Sequence, residues 1–161
     1  MPMNDVTRRP NRGQRGFSLT ELVVVVAIIG VLAVLATPFF ITYLRNAAVQ
    51  GAAGEVATIL NQARQLAIAR NGSVCVRING ATMRYELNAC GSAVYYRGPG
   101  TDSNGYMRLT DNVNLATTAD PVFTSLGAAA PAATYTVTHS QYPTITTTVT
   151  VSGSGRVRVG P

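Results

Sequence analysis

Lysine is absent from this chain: all 13 basic residues are arginine, set against 7 acids. There is one histidine, His139, and there are two cysteines, Cys75 and Cys90. Two thiols and one imidazole give no zinc-ligand spacing. No glycine-rich phosphate loop of the nucleotide-binding type is present. A serine–histidine–acid site is no better served. His139 and Ser140 adjoin in sequence, and neighbours on a strand point to opposite faces. A triad would also need an orienting acid and an oxyanion site. These shortages argue against an enzyme, a metal or a cofactor, and they make His139 a surface residue. The few aromatics near the arginines also disfavour base-stacking on single strands.

The residues that are present are unevenly spread. The length of 161 residues suits one modest domain with a real core plus whatever the ends add. Apolar residues concentrate between Phe17 and Ile41, while the remainder is rich in Thr, Ala, Gly, Val and Asn, which suits strands and turns. The net charge of +6 is also local: Arg8, Arg9, Arg12 and Arg15 fall in the first sixteen residues with only Asp5 opposing them. Without that segment the chain holds 9 arginines against 6 acids, a surplus of +3, which by itself does not imply a nucleic-acid partner.

From Phe17 to Ala36 only Glu21 is ionisable. Twenty residues of helix rise about 30 Å, enough to span a bilayer core, and the arginines before them favour a cytoplasmic N-terminus. An ordinary secretory signal places a small-residue cleavage site after its apolar run. Here the run continues into Thr37, Pro38, Phe39 and Phe40. The unusual features lie at its start: a glycine before it, and a carboxylate four residues inside it, where a charge is costly. A plain single-pass anchor with a stray acid is the bland reading. Pro38 removes a helical hydrogen bond and disfavours helix before it, so a kink or local melting is expected there.

Gly16-Phe17-Ser18-Leu19-Thr20-Glu21-Leu22 resembles the processing signal shared by type IV prepilins and type II secretion pseudopilins. The resemblance implies cleavage by a prepilin peptidase between Gly16 and Phe17, with methylation of the new Phe17 nitrogen. It implies residence in the bacterial inner membrane before assembly, and then in a pilus beside other pilins, from the periplasm to the cell surface. It also gives Glu21 a use: in a low-dielectric bundle of helices, its carboxylate can neutralise the Phe17 amine of a neighbouring subunit.

The implied fold is α+β: a long N-terminal hydrophobic helix, the pilin stem, packed on an antiparallel β-sheet or sandwich head. The expected divisions are a cleaved leader (1–16), a membrane and filament-core helix (17–42), the amphipathic second half of the stem (43–71) and a β-rich head (72–161). Val49, Ala53, Val56, Leu60, Ala63 and Ala67 recur by threes and fours; Gly51 and Gly54 weaken the middle, and Asn71-Gly72 is a natural stop.

In the head, Asn79-Gly80 between two alternating runs signals a hairpin. A two-residue turn there sets Val76 against Met83, Val74 against Tyr85 and Cys75 against Arg84. Val74, Val76, Ile78, Met83 and Tyr85 share one face; Cys75, Arg77, Arg84 and Glu86 share the other. Cys75 and Cys90 are then either two free thiols or, if the chain folds back at 88–91, one disulfide of the kind an exported chain forms. Loops are expected at 98–105 and 127–133, and short strands at 113–115 and 121–124. Two clean alternations, at 134–138 and 144–151, place Tyr135, Val137, Ile145, Thr147, Val149 and Val151 on one face.

The stretch Leu60–Ile68 with Asn71, Val122-Phe123 with Gly127, and the terminal Gly155-Arg156-Val157-Arg158 resemble the GspH/FimT branch of pilin-like proteins, and the last matches the GRxR motif of FimT-type minor pilins. That resemblance implies binding of extracellular double-stranded DNA and support of its uptake in natural transformation. The chemistry agrees. Alternate residues of a strand share a face about 6 to 7 Å apart, and each guanidinium can hold a phosphate with two hydrogen bonds. Such contacts are sequence-independent and salt-sensitive. Val157 and Val159 should point inward, and Gly155 lets the backbone turn and leaves room for close approach. Paired arginines on an edge strand also block aggregation, which is the competing explanation. Arg97, Arg108, Arg77 and Arg84 are candidate supporting cations. The alternative function is that of a GspH-type pseudopilin of a type II secretion system, with protein partners only; a third is an unprocessed envelope protein with an adhesive head.

Overall fold

The computed structural model describes residues 17–109 and 112–160; Gly16 and the four leader arginines lie outside the described residues. Among the described residues one helix, α1 (Leu19–Ala69), precedes nine strands. The chain divides into two compact units after Phe40.

In the first unit Ser18 precedes the helix and its carbonyl accepts the Leu22 N–H at 3.1 Å. Glu21 stands in the first turn, where an acid opposes the positive end of the helix dipole. Every described side chain up to Phe40 is exposed, and the segment is long and apolar enough to cross a membrane. Pro38 lies inside α1, so the local melting expected there does not occur. Its ring removes one donor, which a helix tolerates at a single position, and the Thr37 hydroxyl adds a bond by donating to the Ala33 carbonyl at 2.9 Å.

The second unit holds every buried residue among those described, beginning at Val49. Removing the residues before Ile41 therefore takes nothing from its core. The α1 residues Val49, Ala52, Ala53, Val56, Ile59, Leu60, Ala63 and Ala67 form the buried stripe, with the i, i+3, i+4 repeat of a helix packed on one side. Its four alanines permit a close approach. Gly51 and Gly54 are on the open side, where a Cβ would touch nothing. The helix stops by a bonded cap: Asn71 adopts φ 49°, its N–H donates to Ile68 O, and Gly72 N–H donates to Ala67 O. This satisfies two of the orphan carbonyls at the helix end.

The strands form two antiparallel sheets. The five-stranded sheet runs β3 (Tyr106–Arg108), β2 (Thr82–Leu87), β1 (Val74–Asn79), β5 (Val122–Phe123), β6 (Ala129–Ala130). The four-stranded sheet runs β4 (Val113–Thr117), β7 (Ala133–His139), β8 (Thr146–Val151), β9 (Val157–Gly160). Strand β6 falls inside the loop expected at 127–133, and β3 starts just past the one expected at 98–105; both are short, β3 pairing with β2 and β6 with the equally short β5.

The first hairpin corrects the expected register. Its turn residues are Gly80 and Ala81, so Val76 faces Tyr85, Val74 faces Leu87 and Cys75 faces Glu86 rather than Arg84. Gly80 takes the positive φ of 59° at the first turn position, and the Thr82 hydroxyl closes the turn on Asn79 O at 2.7 Å. Each pairing moves by two residues, the period of a strand, so every side chain keeps its face. Val74, Val76, Met83, Tyr85 and Leu87 are buried. The Tyr85 hydroxyl donates to Ile59 O at 2.8 Å, tying the sheet to α1. Burial, with Tyr96 nearby, pushes its pKa well above the usual phenol value.

On the opposite face the chain folds back through Asn88 and Gly91, both at positive φ, and Cys75 is bonded to Cys90 with Cα atoms 5.2 Å apart. Beneath this loop Glu86 is fully buried. Its carboxylate accepts from Arg84 and from the Gly91 N–H, with Arg77 3.8 Å away. His139 is a second correction. It is 7% exposed, because it continues the inward face of β7 after Ala133, Tyr135 and Val137. Its Nδ1 accepts the Gln141 N–H at 3.2 Å, and its ring meets Tyr142 edge-on, 5.2 Å between centroids. Arg45 of α1 stacks on that tyrosine at 3.6 Å.

Candidate nucleic-acid interface

β9 is the edge strand of the four-stranded sheet. It follows β8 through a turn closed by Ser152: its N–H donates to Arg156 O at 3.0 Å, its carbonyl accepts from Gly155 N–H at 2.8 Å, and its Oγ accepts from Arg156 N–H at 3.2 Å. Val157 then pairs with Val151, Arg158 with Thr150 and Val159 with Val149. Arg156 thus stands at the exit of the turn, one residue before the strand, and Arg158 lies within it. Both are exposed. Val157 packs against the core; Val159 shares its face, opposite the buried Val149, but stays 49% exposed because an edge strand has no outer neighbour to cover it.

Gly155 does admit a close approach, but from its own chain. It holds φ 75°, and a Cβ there would stand 1.9 Å from Gly127 O. Gly127 also has positive φ, and its N–H donates to Thr124 O at 2.8 Å. The β8–β9 turn and the β5–β6 turn are therefore pressed together, and Gly153 O accepts Ala129 N–H at 3.1 Å across them.

The electrostatic setting favours anions. Neither Arg156 nor Arg158 has an acid within ion-pair distance among the described residues. Strands β7, β8 and β9 contain no acid. Arg158 projects beside Thr150, and the outward side of this sheet carries three cross-strand threonine pairs: Thr134 with Thr150, Thr136 with Thr148, Thr138 with Thr146. That face offers hydroxyls and no negative charge.

The other candidate cations belong to the five-stranded sheet and its loops. Arg77 and Arg84 face each other across β1 and β2 and share Glu86. Arg97 donates to Tyr95 Oη at 2.6 Å. Arg108 lies opposite Thr82 on β3. Arg84 also stacks over Tyr95 and Tyr106, at 5.0 and 4.7 Å. This arrangement fastens the 88–106 segment to the sheet. The residue missed from sequence is Arg64, which borders both left-handed glycines: a Cβ on Gly127 would be 2.9 Å from its Nε, and one on Gly155 3.3 Å. A signal for it exists, since it falls four residues after Leu60 and three before Ala67, inside the apolar stripe.

Elsewhere, a groove of about 440 Å³ between α1 and the five-stranded sheet is lined by Gln62, Gln65, Tyr85, Tyr96 and Met107 among others. It presents amides, phenols and a thioether, with no acid, histidine or thiol. No cluster of metal-ligating side chains occurs among the described residues. Phe17 and Glu21 are both exposed at the start of the first unit.

Comparison with known proteins matches residues 11–37 to the family described as the prokaryotic N-terminal methylation motif. No curated protein matches the chain by sequence. Among solved structures, the fold is similar to the type IV minor pilin FimU of Pseudomonas aeruginosa, with TM-score 0.56 and 17% identity over 70% of this chain and 88% of that one. It is also similar to the minor pseudopilin EpsH from the type 2 secretion system of Vibrio cholerae, with TM-score 0.54 and 15% identity over 69% of this chain and 94% of that one. The chain thus carries a prokaryotic N-terminal methylation motif ahead of a fold it shares with FimU and EpsH.

Proposed function

We propose that this chain is a FimT-type minor pilin that captures extracellular double-stranded DNA through Arg156 and Arg158 and supports its uptake in natural transformation. The observation that carries this reading is the state of the two guanidiniums: exposed, adjacent to an acid-free hydroxyl face, and without an acidic partner among the described residues. Each then has its donors available for a phosphate oxygen. Gly155 serves by setting the turn that presents Arg156. Arg97 and Arg108 act at most as distant contributors to the positive field.

The same reading has a prepilin peptidase cut between Gly16 and Phe17 and methylate Phe17, with Glu21 neutralising that amine in a neighbouring subunit. The chain waits in the inner membrane with its N-terminus cytoplasmic, then joins other pilins in the filament. A second reading, a GspH-type pseudopilin with protein partners only, draws on the likeness to EpsH.

A gel-shift titration of the head (Ile41–Pro161) with duplex DNA at two salt concentrations separates them. Salt-sensitive binding that disappears in a folded Arg156→Ala/Arg158→Ala variant is the expected result. No binding at low salt, or binding unchanged in the variant, sinks the claim for these two residues.

A further inference from the structure

Arg64 differs from the other arginines of the head. It is partly buried, its Nε is sealed from solvent without a hydrogen-bond partner, and no acid pairs with it among the described residues. It lies against Gly127 and Gly155, whose missing side chains leave the space its guanidinium borders. A guanidinium stays charged at any relevant pH, and a partly desolvated charge without a counter-ion is unfavourable. Packing alone would be served at lower cost by a methionine or leucine in the apolar stripe. What the position lacks is an anion, and the next residue along from Gly155 is Arg156.

We propose that Arg64 is a third anion-contacting cation of the surface that carries Arg156 and Arg158, and that its ligand is a phosphate of the nucleic-acid backbone. The proposal rests on the reading of Arg156 and Arg158 given above. It also assigns a purpose to the two left-handed glycines: they let a helix residue reach the rim of a sheet. Arg64 comes from a rigid, capped helix and is framed by two hydrogen-bonded turns, so it orders little on binding. Arg156 and Arg158 extend from an edge and supply reach.

The test is a titration of the isotopically labelled head (Ile41–Pro161) with a short DNA duplex, following the arginine Nε–Hε resonances. Arg64, Arg156 and Arg158 are expected to shift together and saturate together. Shifts at Arg156 and Arg158 with Arg64 unmoved would overturn the proposal and leave the reading beneath it standing. Silence at all three would remove that reading and this proposal with it. A second arm uses Arg64→Met, which keeps the aliphatic packing, and Arg64→Lys, which keeps the charge. With each phosphate contact adding about 0.9 to the salt slope, a fourfold rise in salt weakens a three-contact complex about 40-fold and a two-contact complex about 12-fold. The methionine variant should show the smaller factor and the lysine variant the larger. An unchanged factor in the methionine variant, or a reduced one in both variants, would make Arg64 a packing residue only.

Discussion

Three glycine-to-alanine substitutions in the head separate backbone strain from steric overlap. At Gly153 the φ is ordinary and an added Cβ would lie 3.9 Å from Ala129 O; alanine there is expected to stabilise by about 0.4–1 kcal/mol through the unfolded chain. At Gly80 the space is open but φ is 59°, so alanine bears only the left-handed cost of about 1 kcal/mol. At Gly155 both effects meet: φ is 75°, and the Cβ would stand 1.9 Å from Gly127 O, well inside any real contact. One turn must move by more than an ångström. The bonds at risk are Gly155 N–H to Ser152 O and Ala129 N–H to Gly153 O. Left-handed strain of about 1–2 kcal/mol with one or two weakened hydrogen bonds at about 1 each gives a loss near 3 kcal/mol. For a head of this size that lowers the melting temperature by about 10 °C. Thermal unfolding followed by circular dichroism reads all three variants. A Gly155→Ala head that melts no lower than Gly80→Ala would show that the two turns are not pressed together, and would remove the physical basis for Arg64 lying between them.

Other perturbations have equally definite outcomes. Cys75 and Cys90 are 15 residues apart, so a Cys75→Ser/Cys90→Ser head should lose about 3 kcal/mol in urea unfolding. Glu86→Gln leaves Arg84 and Arg77, whose side chains are 17% and 46% exposed, without the buried carboxylate they share, and a loss of about 1–3 kcal/mol is expected in the same assay. Tyr85 and Tyr135 have pKa values raised by burial from an ordinary value of 10.0. Their neutral forms therefore contribute fully below pH 10 and that contribution is lost as pH rises beyond it. Denaturation midpoints should fall above pH 10, less steeply in Tyr85→Phe. Mass spectrometry of the protein from its native membrane should find a methylated N-terminal Phe17, and an intact leader would refute the processing.

The parts of the fold that were legible in the sequence are those governed by period. The stem announces itself by apolar steps of three and four from Val49 to Ala67, and Asn71-Gly72 marks its end because left-handed asparagine is a local property. The faces of β1, β2, β7 and β8 follow from strict alternation. Register is less secure, since Asn79-Gly80 and Gly80-Ala81 are both credible turns and a shift by two leaves every face unchanged. His139 reads as surface because histidine is polar, yet its place on the inward parity of β7 decides otherwise. Short edge strands such as Tyr106–Arg108 and Ala129–Ala130 have too few residues to show a period. At the site, Arg156 and Arg158 stand out by spacing, while Arg64 is distant in sequence and meets Gly127 and Gly155 only when helix and two turns converge. Whether Cys75 reaches Cys90 depended on a loop reversal that spacing alone left open.

The described residues before Ile41 bury no side chain in the folded chain. Substitutions there should leave the melting curve of the head untouched, and substitutions in the stripe from Val49 to Ala67 should leave membrane partition untouched. The two stretches of one continuous helix thus answer to different solvents. The first is judged by lipid and by whatever chains lie beside it, the second by the sheets of its own head. Sequence drift in each can proceed without compensation in the other, and only the turn-by-turn continuity of the helix obliges them to stay joined.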